Sequence, residues 1–250
     1  MKSSARLHLL IDIGNTNTHV GLSTGTRILR DMEFPTGTLP KEPIRKFLRG
    51  QNAAGVMVAS VVPDANGPLK KTLLALGLPP PHFLSCHSPL PIGIRYPKPA
   101  TIGADRLANA AGAVNRYGAP VIVIDFGTAV TFDIINSRAE YIGGIIAPGL
   151  AAMTHYLYER TALLPKISLR EPRSFVGKST VEAMTIGAVV GYRGLIREII
   201  TDVMKELKLR RITVVATGGY SALIARKIPA IQHVNPMLTL EGLQVVLNRI

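Results

Sequence analysis

The chain has 250 residues, of which 47% are hydrophobic and 18% are charged. This size and composition allow a large buried core, in one domain or two, and exclude an intrinsically disordered chain. No apolar run reaches the ~20 residues of a membrane-spanning helix, and the single cysteine, Cys86, cannot form an internal disulfide. We therefore expect a cytoplasmic protein without a membrane partner.

The net charge is +13 at pH 7, a basic excess that is typical of proteins that bind nucleic acid or attract anionic substrates. The excess is spread over both halves of the sequence, and neither zinc-finger spacing nor an aromatic RNA-binding motif accompanies it. Local basic runs at 41–49 and 205–211 are more typical of solvated helix faces. Nucleic acid is therefore not the expected partner.

The first half, residues 1–118, is predicted as one lobe that begins with a buried strand. The apolar stretch at its start is interrupted by His8 and Asp12, which fits a strand better than a signal peptide. Patterning predicts strands at 7–13, 18–23, 27–34 and 56–62, and helices at 41–49, 68–76 and 104–117. Residues 78–101 are rich in proline and glycine and predict a long irregular connection, which in compact domains commonly carries function.

The second half, residues 119–250, repeats this order of elements and is predicted as a second lobe. The expected strands are 120–125, 130–135, 141–147, 212–216 and 231–234, and the expected helices are 150–163, 181–207, 220–227 and 239–248. Gly187, Gly191 and Gly194 lie along the long helix, where glycine is costly, and predict close helix packing within the subunit or across a dimer. The repeated order predicts an α/β fold of two similar lobes with a cleft between them.

One short pattern occurs twice, namely an apolar run that ends in Asp-x-Gly and continues with hydroxyl or amide residues. The copies are centred on Asp12-Ile13-Gly14 and Asp125-Phe126-Gly127, 113 positions apart. A short apolar run rich in β-branched residues is typical of a strand buried on both faces. An Asp at its end, followed by Gly, places a carboxylate and free N–H groups together, which suits Mg²⁺ and phosphate.

A third turn, Thr217-Gly218-Gly219, also follows a predicted buried strand. One such turn is weak evidence, because Asp and Gly are common at strand ends. Three of them are harder to explain by turn geometry alone, and together they could surround one nucleotide. We expect Thr128 and the residues from Gly14 to Thr18 to contact phosphates, and Gly218-Gly219 to let the nucleoside approach closely.

Two further segments have ordinary explanations when considered alone. Gly177-Lys178-Ser179-Thr180 resembles the end of a phosphate loop, but Pro172 stands where that motif needs glycine, so we interpret the segment as a helix N-terminus. Its free N–H groups could still receive an anionic substrate. Gly103-Ala104-Asp105-Arg106 begins a predicted helix, where an Asp simply offsets the helix dipole. The histidines show no metal-ligand spacing.

In combination, these motifs resemble the type III pantothenate kinases, members of the superfamily of acetate and sugar kinases, heat-shock chaperones and actin. The resemblance covers nearly the whole chain, and seven motifs follow the family's order. They are Asp12–Asn17, Ser60–Pro63, Tyr96 with Gly103–Arg106, Asp125–Ala129, Gly143–Leu150, Gly177–Thr180 and Thr217–Gly219. One departure is Val130, where the family usually has a second threonine.

The resemblance implies a fold of two ribonuclease H-like (actin-like ATPase) lobes and a role for each matched residue. Asp105 corresponds to the proton acceptor that activates the pantothenate hydroxyl. The implied substrate contacts are Tyr96, Gly103, Ala104, Asp105, Arg106 and Thr180. The implied ATP contacts are Asp12, Ile13, Gly14, Asn15, Thr16, Asn17, Thr18, His19, Thr128, Gly218 and Gly219. Asp125 corresponds to a site for a monovalent cation, K⁺ or NH₄⁺, and Asp12 to a position near the water shell of Mg²⁺.

The implied reaction is transfer of the ATP γ-phosphoryl group to the primary alcohol of pantothenate, the first step of coenzyme A biosynthesis. The resemblance also implies a homodimer in which both subunits complete the pantothenate site, with the helix at 181–207 a candidate for part of the interface. Two alternatives remain open at this point. One is a kinase of the same superfamily that acts on another small hydroxyl acceptor, and the other is a non-catalytic regulatory relative that binds nucleic acid.

Overall fold

The fold is described from a computed structural model, over residues 6–38 and 41–250. The chain separates into two compact units. The first comprises residues 1–118, 135–142 and 237–250, and the second comprises 119–134 and 143–236. The predicted lobes are 1–118 and 119–250, whereas the first unit also takes in two segments from beyond residue 118. A hairpin tip (135–142) and the C-terminal segment (237–250) pack in the first unit.

The elements alternate between strands and helices in both halves. The strands are β1 (His8–Ile13), β2 (Asn17–Ser23), β3 (Ile28–Pro35), β4 (Gly55–Ser60), β5 (His82–Phe83), β6 (Gly93–Ile94), β7 (Val121–Phe126), β8 (Ala129–Ile135), β9 (Glu140–Pro148), β10 (Thr213–Thr217) and β11 (His233–Val234). The α-helices are α1 (Lys41–Leu48), α2 (Pro63–Ala75), α3 (Ala104–Tyr117), α4 (Leu150–Arg160), α5 (Thr180–Ile186), α6 (Tyr192–Glu206), α7 (Ser221–Ala225) and α8 (Leu238–Leu247).

The two sheets share one topology. The first has the order β3-β2-β1-β4-β5. Written in the same direction, the second has the order β9-β8-β7-β10-β11, and β6 extends it at the β9 edge. In the first sheet β1 pairs antiparallel with β2 and parallel with β4, and in the second β7 pairs parallel with β10. Because the strands correspond in order, the duplication that the repeated Asp-x-Gly pattern predicts is confirmed, as is the two-unit α/β fold.

Each repeated Asp lies one residue before the end of a central strand. Asp12 is opposite Ala59 of β4, and Asp125 is opposite Thr217 of β10. The apolar side chains of both strands are buried on both faces, and those on one face of each strand belong to one of the two hydrophobic cores. The sequence therefore folds so that each carboxylate emerges where the buried strand ends.

Some helix boundaries differ from prediction for identifiable reasons. Helix α2 begins at Pro63, five residues earlier than expected, because proline is well suited to the first turn, where its missing N–H costs nothing. The long helix predicted over 181–207 is divided by a π-helical turn, Gly187–Gly191, between α5 and α6. A Cβ at Gly187, Gly191 or Gly194 would meet no other described atom within 4 Å. Close packing inside the subunit is therefore not their role, and contact across a dimer remains a prediction.

The close helix contact of this chain lies instead between α3 and α8, both in the first unit. A Cβ at Gly242 would overlap the carbonyl of Ala108, and one at Gly112 would lie 2.7 Å from the carbonyl of Leu238. Between the same helices, the Thr239 hydroxyl donates a buried hydrogen bond of 2.8 Å to Asn109 Oδ1. These contacts explain why the C-terminal helix belongs to the first unit, and they hold the helix that begins with Asp105.

We expect Gly242→Ala to lower the free energy of unfolding by about 1–3 kcal/mol, because overpacking of a tight contact forces backbone shifts. Chemical denaturation with urea measures the change. Gly194→Ala is the matched control, since its Cβ would enter open space in α6 and helix propensity favours alanine. Equal stability of the Gly242→Ala variant and the wild-type protein would contradict the close contact.

Candidate active site

The turn between β1 and β2 carries the first cluster of predicted site residues. The Gly14 N–H donates to the Asn17 carbonyl at 3.0 Å, and a Cβ on Gly14 would lie 3.0 Å from the same oxygen. The turn is therefore tight, and glycine fits it best. Asn15, Thr16 and Asn17 are exposed at its tip, where N–H groups can reach an anionic ligand, and the Asn17 side-chain amide donates to Glu33 Oε1 at 2.7 Å.

Three predicted ATP contacts in this region point elsewhere. The side chains of Ile13 and Thr18 are fully buried, Ile13 in the hydrophobic core, so neither side chain is presented to a phosphate. His19 is half-buried on β2, and its Nε2 lies 2.8 Å from Oδ2 of Asp31 on β3. We therefore restrict direct contacts by side chains in this turn to Asp12 and the exposed residues.

Asp105 lies at the same edge of the first sheet as this turn. Strands β1 and β4 are parallel, and the Val61 N–H, just after β4, donates to the Ile13 carbonyl at 3.1 Å. A Cβ on Gly103, just before α3, would lie 3.5 Å from the Val61 side chain. Val61 thus links the first Asp-x-Gly turn to the residue that precedes α3.

The carboxyl group of Asp105 is largely withdrawn from water. Its Oδ1 accepts a hydrogen bond of 2.8 Å from the Arg106 N–H. Burial raises the pKa of Asp105, and the backbone hydrogen bond and the charge of Arg106 oppose this shift only in part. A Cβ on Gly103 would collide with Asp105 Oδ1, so glycine at 103 preserves the position of the carboxylate. A carboxylate with a raised pKa is suited to accept a proton.

Two predicted substrate residues, Tyr96 and Arg106, meet on the ring of Tyr141. The ring centroids of Tyr96 and Tyr141 are 6.1 Å apart and nearly perpendicular, and the Arg106 guanidinium carbon lies 5.9 Å from the Tyr141 centroid. Tyr141 is almost completely buried, and its carbonyl accepts from the Arg95 N–H at 2.9 Å. Such edge-to-face and cation–π contacts orient both side chains. Sequence reasoning missed Tyr141, which has no motif of its own.

The second Asp-x-Gly turn is held by a close approach of the chain at Gly149. The Gly149 N–H donates to the Thr128 carbonyl at 3.2 Å, and a Cβ there would collide with the carbonyls of Gly127 and Thr128. The carbonyl just before, of Pro148, accepts from the Tyr192 hydroxyl at 3.0 Å. Burial raises the pKa of Tyr192 to about 12, so the hydroxyl keeps the proton that it donates. The predicted phosphate contact, Thr128, is exposed.

The third turn lies directly against the second. Gly218 has φ of +85°, a conformation that favours glycine, and a Cβ there would lie 2.5 Å from Asp125 Oδ1 and 2.8 Å from the Phe126 backbone. The neighbouring Gly219 faces open space. Two of the three predicted turns are therefore adjacent within the second unit, and the backbone beside Asp125 is free of side chains.

Thr180 is the first residue of α5 and is exposed. As predicted, the helix has a capped N-terminus, because the Ser179 hydroxyl accepts from the Glu182 N–H at 3.2 Å. Glu182 in turn accepts from the Lys178 N–H at 2.8 Å. A Cβ on Gly177 would lie 2.5 Å from the Ala183 nitrogen, so this segment packs closely on the first turn of its helix.

Over residues 6–38 and 41–250, no group of three or more His, Cys, Asp or Glu side chains forms a metal cluster. Within the same ranges, no helix has the length and apolar character needed to cross a membrane. Mg²⁺ that accompanies a nucleotide is usually held by one or two carboxylates together with phosphate oxygens and water. Asp12, at the end of β1, provides such a carboxylate.

Duplicated α/β units of this topology, with acidic strand ends and tight glycine turns, are typical of the actin-like class of nucleotide-binding proteins. The model of the type III pantothenate kinase family matches residues 8–202. The chain belongs to this family and is an ATP-dependent pantothenate kinase.

Individual relatives support this assignment. The chain is 50% identical to the type III pantothenate kinase of Akkermansia muciniphila, over 95% of this chain and 97% of the relative. It is 39% identical to that of Methylacidiphilum infernorum, over 95% and 87%. In fold it is similar to the activator of the 2-hydroxyisocaproyl-CoA dehydratase from Clostridium difficile with bound ADPNP. That similarity has a TM-score of 0.55 at 12% identity and covers 97% of this chain and 93% of the activator.

Proposed function

We propose that this kinase phosphorylates the primary hydroxyl of pantothenate with Asp105 as the proton acceptor. The observation that carries the proposal is the buried Asp105 carboxyl, held over Gly103 at the same sheet edge as the first Asp-x-Gly turn. Phosphoryl transfer depends on positioning and charge neutralisation more than on covalent chemistry. Asp105 would orient the alcohol and take its proton as the oxygen attacks the γ-phosphorus. Tyr96 and Arg106 would hold the acceptor, and Arg106 suits its carboxylate.

The proposal assigns the phosphates of ATP to two turns. Asn15, Thr16 and Asn17 are exposed residues of the first turn, and Thr128 is an exposed residue of the second. Asp12 would hold Mg²⁺ through water, and the ion would neutralise phosphate charge. Gly218 and Gly219 would admit the nucleoside. A cytoplasmic location is part of the proposal, since ATP is the phosphoryl donor and Cys86 remains a free thiol.

Removal of the base is the direct test. We expect Asp105→Asn to reduce kcat by ~10²–10⁴-fold while the KM for ATP changes little, since general-base catalysis contributes about this factor. Turnover is measured by pantothenate-dependent ADP release, and a panel of other small hydroxyl acceptors identifies the acceptor. Glu42→Gln, which changes an exposed carboxylate on α1, is the control. Wild-type turnover by Asp105→Asn would exclude the proposed base.

The pH dependence of the same reaction follows from the burial of Asp105. A base must be ionised, so kcat/KM should fall as the pH decreases through the raised pKa, at a higher pH than for an ordinary aspartate. Burial makes the folded state bind this proton more tightly than the unfolded state does. The contribution of Asp105 to the stability of the fold is therefore fully present below the ordinary pKa of aspartate and is lost as the pH rises through the raised pKa. The Asp105→Asn variant should accordingly be no less stable than the wild type at neutral pH, which separates loss of chemistry from loss of structure.

We also propose that Asp125 binds the monovalent cation. A Cβ at position 218 would lie 2.5 Å from Asp125 Oδ1, so Gly218 keeps that side of the half-buried carboxylate open to a small cation, which tetramethylammonium is too large to replace. Turnover should be higher in K⁺ or NH₄⁺ than in tetramethylammonium at equal ionic strength. Asp125→Asn should remove most of this activation. We expect turnover in K⁺ to fall about tenfold or more, which corresponds to a rise of ~1.4 kcal/mol or more in the activation free energy. Equal wild-type turnover in all three salts would contradict the assignment.

A homodimer is the final part of the proposal. Helix α4 has 11 residues but buries only Leu150 and Thr154 within its own chain, while Met153, Tyr156, Leu157 and Tyr158 are exposed. An apolar helix face of this kind needs a covering surface. Exposed apolar side chains also occur before and after α4 in the sequence, namely Ile146, Leu163, Phe175 and Val176. The interface should therefore include α4, in addition to the helix at 181–207 that the sequence indicates.

We expect Leu157→Asp to convert the dimer to monomers at micromolar concentration, measured by sedimentation velocity, without loss of helical circular dichroism. The KM for pantothenate should rise in the monomer if both subunits complete the acceptor site. Leu74→Asp is the matched control, because Leu74 is also an exposed leucine on a helix, α2 of the first unit. A monomeric wild-type protein would overturn this part of the proposal.

A further inference from the structure

Thr36 belongs to none of the sequence motifs, yet it holds the first Asp-x-Gly turn by three hydrogen bonds. It follows β3, and its N–H donates to the Thr16 carbonyl at 3.0 Å. Its hydroxyl donates to the Gly14 carbonyl at 2.6 Å and lies 3.1 Å from the Thr18 hydroxyl. The residue is only 8% exposed. The end of β3 therefore packs against the inner side of the β1–β2 turn.

The direction of these hydrogen bonds follows from counting protons. A threonine hydroxyl has one proton and two lone pairs. Because Thr36 uses its proton on the Gly14 carbonyl, the Thr18 hydroxyl must donate to Thr36 Oγ1. The chain of bonds thus runs in one direction, from Thr18 to Thr36 to Gly14. The Thr18 side chain is fully buried, which explains why this predicted phosphate contact does not face the ligand side of the turn.

These bonds fix the two peptide groups on either side of Gly14. The Gly14 N–H is held by the Asn17 carbonyl, and the Gly14 carbonyl is held by Thr36. With both groups held, the turn can present Asn15, Thr16 and Asn17 to a phosphate without reorganising at the moment of binding. Preorganised donors of this kind are the main source of electrostatic stabilisation in phosphoryl transfer.

We infer that Thr36, with Thr18 as its partner, is a positioning residue for the turn that binds the ATP phosphates. The inference rests on the proposed assignment of this turn to ATP. Thr36 touches neither substrate in this role, so its loss should act on ATP and leave the acceptor site intact. The alternative is a purely structural role, which would affect both substrates equally.

The test is the isosteric variant Thr36→Val, which removes the hydroxyl and keeps the shape of the side chain. It leaves a buried carbonyl and a buried hydroxyl without their partner. We expect the KM for ATP to rise about tenfold, while the KM for pantothenate stays within about twofold. Thr36→Ser keeps the hydroxyl and should stay close to the wild type. Thr18→Val should give a smaller effect of the same kind, because the bond from Thr36 to Gly14 survives.

The double variant Thr18→Val/Thr36→Val should lose less than the product of the single effects, since both changes break one chain of bonds. An unchanged KM for ATP in folded Thr36→Val overturns the inference. Equal rises in both KM values, with no recovery in Thr36→Ser, also overturn it in favour of a structural role. The Asp12→Asn variant distinguishes failure of the positioning role of Thr36 from failure of the assignment of this turn to ATP. If it raises the KM for MgATP and Thr36→Val does not, the positioning role alone is wrong. If neither does, the assignment of the turn to ATP is wrong as well.

Discussion

The structure depends on one constraint, namely that a carboxylate must emerge at the end of a buried strand where the neighbouring backbone leaves no room for a side chain. Asp12 and Asp125 each lie, half-buried, one residue before the end of a central strand, and the close backbone is that of Gly218 beside Asp125. Gly218 brings the next strand end against Asp125 so closely that any other residue would displace it. Such a site is unfavourable for an isolated anion and favourable for an anion that holds a cation.

The sequence predicted this part of the fold because the constraint itself has a sequence signature. Apolar strands that end in Asp-x-Gly can be recognised without knowing what lies beside them, and the common order of the two sheets confirms the duplication. Asp105 could not be found in this way. An Asp in a first helical turn is ordinary, and only the motif resemblance singled it out. What makes it unusual is its burial, and burial depends on the fold around it.

Thr36 and Tyr141 show why the remaining site residues could not be predicted. Thr36 lies 22 positions from Gly14, and it reaches that turn only because the register of β2 and β3 places the end of β3 beside it. Tyr141 is the second residue of β9, in the second half of the sequence, but packs in the first unit, where it contacts Tyr96 and Arg106. Both roles arise from pairings between distant segments, which local patterns do not encode. The C-terminal helix α8 is a similar case, because its contact with α3 depends on Gly112 and Gly242 facing each other.

The departure at Val130 illustrates how burial decides what a substitution can affect. Where this family usually has a second threonine, the Val130 side chain is fully buried in the core of the second unit. The exposed hydroxyl of this turn belongs to Thr128, two residues earlier, and it is retained. A valine at 130 therefore exchanges a buried polar group for apolar packing and leaves the ligand side of the turn unchanged. Because phosphoryl transfer depends on positioned charges and donors, a change behind the turn affects the reaction only if it moves the backbone, and the bonds at Gly149 oppose such movement.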